Sequence, residues 1–290
     1  MKPCVVAIIK GGLGNQLFAY AAARAFALRS GRELLVDDAS GFVRDGYGRS
    51  FRLDRFPIEA QPAPSSVRLG DPKGARHKLV RATNRLLPSG WRNYFSEKAG
   101  IPAARLLSFR SHRKVVHLNG YWQDEACFLD FADRIRAELE PPPLESEPDR
   151  ELEQELVEAP SVFLHLRRVR YSPRLGSGYY QSSILRAADA VPGCRFEVFG
   201  DELEWGRREL EFGSHPVRFH DGKGAAGDEL RDFRLMTACR HAIVANSSFS
   251  WWAAWLRAYP GKQVWTPQEP GWPVIPAAGW TPVPNRLEFD

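Results

Sequence analysis

The N-terminal segment restricts the fold more than any other part of the sequence. An apolar, β-branched run at 5–9 is followed by a glycine turn at 11–14 and by an Ala-rich stretch with helical spacing at 16–29. Gly31 ends this predicted helix, and a second apolar run follows at 33–36. Strand, turn, helix and strand in this order predict an α/β fold that opens on a parallel sheet.

A proline-rich, acidic segment at 140–148 divides the chain into two parts. Such composition is typical of linkers, so we predict an N-terminal domain at 1–145 and a C-terminal domain at 146–290. Apolar runs at 161–166 and 195–199, each followed by loop and helix signals, predict a second parallel sheet. Two α/β halves joined by a linker predict a cleft lined by the carboxyl ends of the strands, where ligands bind in such sheets.

The pattern is less regular elsewhere. Residues 40–115 are rich in Arg and Pro and are predicted to be irregular. A strand at 115–121 is predicted to lead into a helix at 124–139. A short strand at 242–245 is predicted to lead into an aromatic helix at 249–257.

Composition limits the compartment and the partners. The 4 cysteines stand far apart without a CxxC pair, which favours thiols in a reducing cytoplasm. No apolar stretch approaches the roughly 18–20 residues of a membrane helix, so we expect a soluble protein with at most peripheral membrane contact. The net charge of +5 suits an anionic small ligand and is too diffuse to predict nucleic-acid binding. The basic residues at 68–92 are predicted to form a solvated helix face.

The glycine turn is the first candidate site. Glycines between a strand and a helix let the backbone approach a ligand, and the helix N-terminus attracts anions. The donor-binding residues predicted here are Gly12, Gly14, Asn15 and Gln16. A purely structural turn is one alternative. NAD binding is another, because Asp37 stands where an acid could bind a ribose, although Leu17 replaces the third glycine of that pattern.

Two adjacent arginines follow the predicted strand at 161–166. Placing Arg167 and Arg168 at the end of an apolar strand is costly unless an anion is bound there. Guanidinium groups bind phosphate oxygens in bidentate fashion, so this pair suits a diphosphate whose negative charge grows as it leaves. Surface ion pairs are the alternative explanation.

The third candidate is the start of the predicted aromatic helix. Asn246 or Ser247 can cap this helix, and small hydroxyl residues at a helix start can also donate to phosphate. We expect the tryptophans to pack in the core and the serines to face the ligand. The donor-binding residues predicted here are Asn246, Ser247, Ser248 and Ser250.

Two acidic residues complete the candidates. Asp201 follows the strand at 195–199, and Asp228 lies between a glycine and a glutamate further along the chain. Asp201 could accept hydrogen bonds from a guanine edge or a ribose, although ordinary surface turns are the alternative for both. The sequence has no DxD triplet, so no metal-binding carboxylate pair is predicted. It has neither a P-loop nor a GxSxG elbow.

Together these segments resemble the bacterial α-1,2-fucosyltransferase family. Residues 12–18 look like its N-terminal motif, 165–171 like its H-x-R-R-x-D-Y motif and 246–252 like its C-terminal motif. Residues 120–123 and 199–205 are similar to two further stretches, and all these matches occur in the family's order.

The resemblance implies a GT-B architecture, in which two Rossmann-like domains face an interdomain cleft. The donor would be held mainly by the C-terminal domain, and the N-terminal domain would form the acceptor side. It also implies an inverting enzyme, without metal or cofactor, that transfers L-fucose from GDP-fucose to a glycan hydroxyl such as O2 of a galactoside. By the motif match, Arg167 and Arg168 would bind the diphosphate and His165 would support the same catalytic site.

The second motif departs from the family at one position, because Arg170 stands where the family has aspartate. This exchange reverses the local charge beside a diphosphate. The general base is therefore left open among Asp37, Asp124, Asp201 and Glu202. Three alternatives remain: a related transferase with another nucleotide sugar, a non-catalytic nucleotide-sugar- or glycan-binding protein, and a dinucleotide-binding oxidoreductase.

Overall fold

The computed structural model describes residues 2–97, 103–169, 174–221, 229–268, 275–284 and 287–288. The chain forms two compact units, Met1–Glu140 and Pro141–Asp290, which are called unit 1 and unit 2 here. The division lies at the start of the proline-rich segment 140–148 that the sequence suggests as a linker.

Unit 1 is built on a parallel sheet. Its described residues contribute β1 (Cys4–Ile8), β2 (Glu33–Asp37), β3 (Gln61–Pro62), β4 (Tyr94–Ser96) and β5 (Val115–Asn119). They pair in the order β3-β2-β1-β5-β4, and every pair is parallel. The central strand β1 is buried along its whole length, as expected of an apolar strand covered on both faces. The predicted α/β opening is therefore confirmed.

Helix α1 (Leu13–Ser30) connects β1 to β2 and contacts both strands. Nearly all of it is buried, because most of its residues are small or apolar and its buried Arg24 is paired with Glu138. It begins at Leu13 instead of residue 16, since Gly12 takes the extended conformation of an N-cap. It ends at Gly31, whose φ of 61° lies in the left-handed region that glycine adopts without strain.

The prediction that 40–115 is irregular is wrong. This region contains β3 and β4, and it also contains α2 (Ala75–Leu86) and α3 (Ala103–Ser108). Single 3-10 turns lie at Leu53–Arg55 and Ser89–Trp91. β3, β4 and α3 repeat their apolar positions too few times for periodicity to reveal them, whereas α2 lies within 68–92, where the basic residues predict a helix face.

The predicted helix at 124–139 is also wrong in its first part. Asp124 caps a 3-10 turn at Glu125–Cys127, and a second turn at Leu129–Phe131 precedes α4 (Ala132–Glu138). The break lies at Phe128, whose φ of −139° is not helical. Its buried ring packs against Phe18 of α1, with the two ring centroids 6.2 Å apart, so tertiary packing overrides local propensity here.

Unit 2 contains a second sheet. Its described strands are β6 (Ser161–Leu166), β7 (Arg174–Leu175), β8 (Arg195–Gly200), β9 (Val217–Phe219), β10 (His241–Ile243), β11 (Val264–Gln268), β12 (Thr281–Pro284) and β13 (Leu287–Glu288). Six of them pair in parallel in the order β12-β11-β10-β6-β8-β9, and β7 pairs antiparallel with β13. The predicted strands at 161–166 and 195–199 are confirmed. The strand predicted at 242–245 is also present, but it begins one residue earlier, at His241, and ends at Ile243.

Helices alternate with these strands. They are α5 (Glu147–Glu158), α6 (Ser177–Ala190), α7 (Leu203–Glu209), α8 (Glu229–Ala238) and α9 (Ser248–Leu256). Helix α5 begins inside the predicted linker, where the Ser146 hydroxyl accepts a hydrogen bond from the backbone N–H of Asp149. Two units of parallel strands joined through helices confirm the predicted α/β class with two Rossmann-like domains.

Candidate active site

The carboxyl ends of three neighbouring strands in unit 2 carry most of the predicted site residues. In the sheet, Leu164 of β6 lies opposite Ile243 of β10, and Leu166 lies opposite Gly200 of β8. The segments that follow these strands therefore lie along one edge of the sheet. They bring together the predicted residues Arg167, Arg168, Asp201, Asn246 and Ser247.

Arg167 lies at this edge with part of its side chain in solvent. Its side chain is 33% exposed, and its Nη1 donates a hydrogen bond to Asp201 Oδ2 at 2.6 Å. A partly exposed ion pair of this kind is weak, so an incoming phosphate can replace the carboxylate as the partner of the guanidinium. The predicted contact of Arg167 with a diphosphate therefore stays a prediction that this position at the sheet edge permits.

Asp201 has a structural role that the sequence did not indicate. Besides the ion pair with Arg167, its Oδ1 accepts hydrogen bonds from the backbone N–H groups of Arg168 at 2.9 Å and Val169 at 3.3 Å. Both carboxylate oxygens thus hold the loop after β6, which leaves Asp201 poorly placed for the predicted contact with guanine or ribose. Gly200 precedes it with a φ of 138°, and a Cβ there would lie 1.9 Å from the Leu166 carbonyl oxygen, so only glycine fits.

Arg168 differs from Arg167 although the two are adjacent. Its side chain is only 5% exposed, and its Nε donates to Glu202 Oε2 at 2.9 Å. Its Nη1 donates to the Leu175 carbonyl oxygen at 2.6 Å, and its guanidinium lies 3.8 Å from the centre of the Trp205 ring. These contacts bind Arg168 to the surrounding protein, which corrects the prediction that both guanidinium groups point to an anion.

His165 is buried at the end of β6. Burial, and to a smaller extent the charge of Arg167, lowers the pKa of its imidazole to about 3. The ring is therefore neutral at physiological pH and does not act there as a proton donor with an ordinary histidine pKa. Its centroid lies 5.7 Å from that of Phe249, so His165 connects β6 to the first turn of α9. Its Nδ1 forms no hydrogen bond with any residue that the structure describes.

The serines at the start of α9 have separate roles. The Ser247 hydroxyl accepts a hydrogen bond from the backbone N–H of Phe249 and so caps the helix, as predicted from the sequence. Ser250 is buried, and its hydroxyl accepts from the backbone N–H of Ala245 and donates to the Ser247 carbonyl oxygen. Ser250 therefore does not face a ligand, contrary to expectation. Ser248 is half-buried, and Asn246 is buried just before the cap.

The tryptophans of α9 belong to the core, as expected. Trp251, Trp252 and Trp255 are buried and pack against one another, with ring centroids 5.1 to 6.0 Å apart. This packing fixes the position of α9, and with it the backbone N–H groups that begin the helix at the sheet edge.

The glycine turn of unit 1 is shaped by contacts with another loop of the same unit. Gly11 has a φ of 78°, and a Cβ there would lie 2.9 Å from the Tyr121 hydroxyl. Asn15 accepts a hydrogen bond from Gln123 Nε2 at 2.8 Å. The predicted turn is thus present, and residues 120–123 form its neighbour because β5 lies beside β1 in the sheet.

Gln16 has a different role from the predicted one. Its Nε2 donates to the carbonyl oxygens of Gly11 and Ser50, both at 2.9 Å, and its Oε1 accepts from the backbone N–H of Arg52 at 3.0 Å. Both amide hydrogens are used, so none remains for a ligand in this conformation. Gln16 instead ties the turn to the segment around Ser50.

Sequence reasoning missed Glu97. Its carboxylate accepts hydrogen bonds from the backbone N–H groups of Tyr121 at 2.7 Å and Trp122 at 3.1 Å. These bonds hold Trp122 at a φ of 55°, which is strained for a bulky residue and typical of functional loops. The resemblance included residues 120–123 but gave them no role, and no local pattern connects Glu97 to them.

The four candidates for a general base are placed as follows. Asp201 and Glu202 form the ion pairs described above, and Asp124 caps a 3-10 turn. Asp37 is buried at the end of β2, where its Oδ1 accepts from the backbone N–H groups of Ala39 and Ser40. Arg170 and Asp228 lie outside the described residues. Among the described residues, no group of three or more His, Cys, Asp or Glu side chains is arranged to hold a metal ion.

Two parallel-sheet units with helices between their strands correspond to the two Rossmann-like domains of a GT-B fold. The structure is similar to that of the NodZ α-1,6-fucosyltransferase soaked with GDP-fucose, with a TM-score of 0.56 and 16% identity over 88% of this chain and 93% of that chain. At this identity, the likeness establishes the fold alone.

The sequence comparisons then give the family. The model of glycosyl transferase family 11 matches residues 91–270, and the chain belongs to this family. It is 28% identical to an alpha-1,2-colitosyltransferase of Escherichia coli over 88% of each chain. It is 27% identical to the galactoside 2-alpha-L-fucosyltransferase SEC1 of Bos taurus, over 85% of this chain and 62% of the bovine one. The predicted family and the predicted enzyme class are confirmed.

Proposed function

We propose that this enzyme transfers L-fucose from GDP-fucose to a glycan hydroxyl, with inversion at the anomeric carbon, and that the acceptor is O2 of a galactoside. Membership of glycosyl transferase family 11 and the named activities of its relatives support the reaction class. The observation that carries the site is the partly exposed Arg167 at the carboxyl end of β6, on the sheet edge where α9 begins.

In the proposed reaction, the acceptor oxygen attacks the anomeric carbon as the bond from that carbon to the diphosphate oxygen breaks. GDP leaves with an additional negative charge, and the acceptor proton passes to a base. Arg167 exchanges Asp201 for the diphosphate and stabilises the growing charge, together with the backbone N–H groups that begin α9. The positive charge is thus supplied by protein groups, and we propose that the reaction needs neither a divalent metal nor a cofactor.

Arg168 acts in this proposal as a positioning residue. It connects the loop after β6 to Glu202, Leu175 and Trp205, so it fixes the backbone from which Arg167 projects. Unit 2 holds the donor, and unit 1 provides the acceptor side.

We further propose that the protein works in a reducing cytoplasm. All four cysteines lie within the described residues, are buried, and form no disulfide. Within the part of the chain that the structure describes, no helix is both long and apolar enough to cross a membrane.

The test is GDP release from GDP-fucose across a panel of β-galactosides, with GDP-fucose also incubated without acceptor to measure its hydrolysis. The linkage of the product is then determined by NMR. We expect acceptor-dependent GDP release and an α-1,2 linkage. Binding of GDP-fucose without GDP release on any acceptor would instead support a non-catalytic binding protein, and binding of NAD would support an oxidoreductase.

A second donor is favoured by one observation, the similarity to an alpha-1,2-colitosyltransferase. Colitose is L-fucose without its 3-hydroxyl group, so a site that does not hydrogen-bond this hydroxyl accepts both sugars. GDP-colitose, GDP-mannose and a UDP-sugar are therefore included in the donor panel. A preference for GDP-colitose would change the donor and leave the proposed reaction type intact.

A further inference from the structure

Helix α2 of unit 1 packs on the rest of the unit through one narrow face. His77 is buried and its Nε2 lies 2.9 Å from the Tyr94 hydroxyl. Asn84 donates to the Tyr94 carbonyl oxygen at 2.8 Å, and Val80 packs against the cluster around Tyr94. These three positions follow the helical repeat, so they determine which side of α2 faces outward.

The outward side of α2 is apolar. Leu79 is 63% exposed and Leu86 is 86% exposed, and with Ala75 and Ala82 they form a stripe at helical spacing opposite the buried face. Trp91, in the 3-10 turn that follows, is 50% exposed, and the covered part of its ring contacts His112 and Arg113. Large apolar side chains at such exposure contribute little to the folded unit, and clustered ones mark an interaction surface.

Basic residues flank this stripe. The segment 72–96 contains no Asp or Glu, and its basic residues are Lys73, Arg76, Lys78, Arg81, Arg85 and Arg92. Lys78, Arg81 and Arg85 lie along one side of the exposed leucines and form no ion pair with any described residue. The sequence-based expectation of an ordinary solvated helix face is therefore incomplete, because the centre of that face is apolar.

We propose that α2 and Trp91 form a membrane-docking surface that binds anionic lipid bilayers. An amphipathic helix with exposed leucines beside a row of Lys and Arg lies in the interface of a bilayer, where the leucines enter the acyl region and the cations meet lipid phosphates. Trp91 fits the same interface, which tryptophan favours. A nucleic acid would use the cations but not the leucines. The inference is independent of the proposed reaction.

The test is sedimentation of the full chain with phosphatidylcholine vesicles that contain or lack phosphatidylglycerol. Two variants, Leu79→Ser/Leu86→Ser and Arg81→Gln/Arg85→Gln, remove the apolar and the basic contribution separately. The control is Leu185→Ser/Arg186→Gln, which alters an equally exposed apolar and basic pair on α6 of unit 2. All changed side chains are exposed, and circular dichroism verifies that the variants are folded.

We expect the wild type and the control to bind only vesicles with phosphatidylglycerol. Each cation near an anionic surface strengthens binding about fivefold, so Arg81→Gln/Arg85→Gln should weaken it about 25-fold at low salt. Leu79→Ser/Leu86→Ser should weaken it more than about tenfold at any salt concentration.

Several results would overturn the proposal. One is the absence of wild-type protein from the vesicle pellet, and another is undiminished binding by both variants. A third is a wild-type protein that does not bind vesicles and is a dimer in light scattering, while Leu79→Ser/Leu86→Ser alone is a monomer. This result would make the face a subunit interface. Binding of RNA that Arg81→Gln/Arg85→Gln alone loses, again without vesicle binding, would make it a nucleic-acid surface.

Discussion

Separate replacement of Arg167 and Arg168 distinguishes a residue that binds the substrate from one that holds the loop. The two side chains differ in exposure, 33% against 5%. Arg167→Ala removes one partly exposed ion pair, whereas Arg168→Ala removes a buried ion pair, a hydrogen bond to Leu175 and the stacking on Trp205. We therefore expect Arg167→Ala to impair turnover and Arg168→Ala to impair stability.

The magnitudes follow from these contacts. A hydrogen bond from a charged donor contributes about 1.5–3 kcal/mol, and a desolvated cation–π contact contributes about 1–2 kcal/mol. Breaking a buried ion pair costs about 3–5 kcal/mol, and the lower end applies here because Glu202 is 28% exposed and can be rehydrated. The ion pair alone gives about 3 kcal/mol, so Arg168→Ala should lower the free energy of unfolding by at least about 3 kcal/mol, and Arg167→Ala by less than about 1 kcal/mol.

Urea unfolding at 25 °C measures the first quantity, and GDP release from GDP-fucose measures turnover. Arg167→Ala should lower kcat about 10²- to 10³-fold, as the loss of a donor to a developing anion does. Arg168→Lys is the matched control, because lysine keeps the charge but cannot stack on Trp205 and also reach Glu202 and the Leu175 carbonyl oxygen. Its stability should therefore fall between those of the wild type and Arg168→Ala. Near-normal turnover of Arg167→Ala, or unchanged stability of Arg168→Ala, would refute the assignment.

Four further substitutions test the strand-end loops. His165 has a folded-state pKa of about 3, below its unfolded value, so only the unfolded state gains its proton as the pH falls below about 6.5. Between pH 6.5 and 4, the free energy of unfolding of the wild type should therefore fall by about 1.4 kcal/mol per pH unit more than that of His165→Gln. Urea unfolding at several pH values measures this, and the same pH dependence in both proteins would contradict the assignment. Gln16→Ala removes hydrogen bonds to Gly11, Ser50 and Arg52 and should cost about 2–3 kcal/mol, measured by the same unfolding assay. Gly11 has a φ of 78°, so Gly11→Ala should lower the free energy of unfolding by about 1–3 kcal/mol. Gly12 has a φ of −72°, so Gly12→Ala should lower it by about 1 kcal/mol or less. Equal losses of stability would show that the backbone conformation at residue 11 does not require glycine.

Local sequence patterns were sufficient for the framework of both sheets. The strands β1 and β6 are continuous apolar runs, and the Ala-rich α1 is bounded by Gly12 and Gly31, so short-range chemistry specifies them. For α2 the same patterns indicated only a solvated helix face at 68–92 and not its outward apolar residues, and they did not reveal the break at Phe128. In both places the conformation depends on which face the rest of the unit covers.

For the site, the sequence by itself determined the residue types and their position at strand ends, and the order of its motifs indicated the family. Only the tertiary structure decided what each side chain does. Arg167 and Arg168 are neighbours, but Arg168 contacts Leu175, Glu202 and Trp205, while Arg167 faces solvent beside Asp201. Hydrogen-bond partners and burial come from residues distant along the chain, and neither composition nor spacing specifies them in advance.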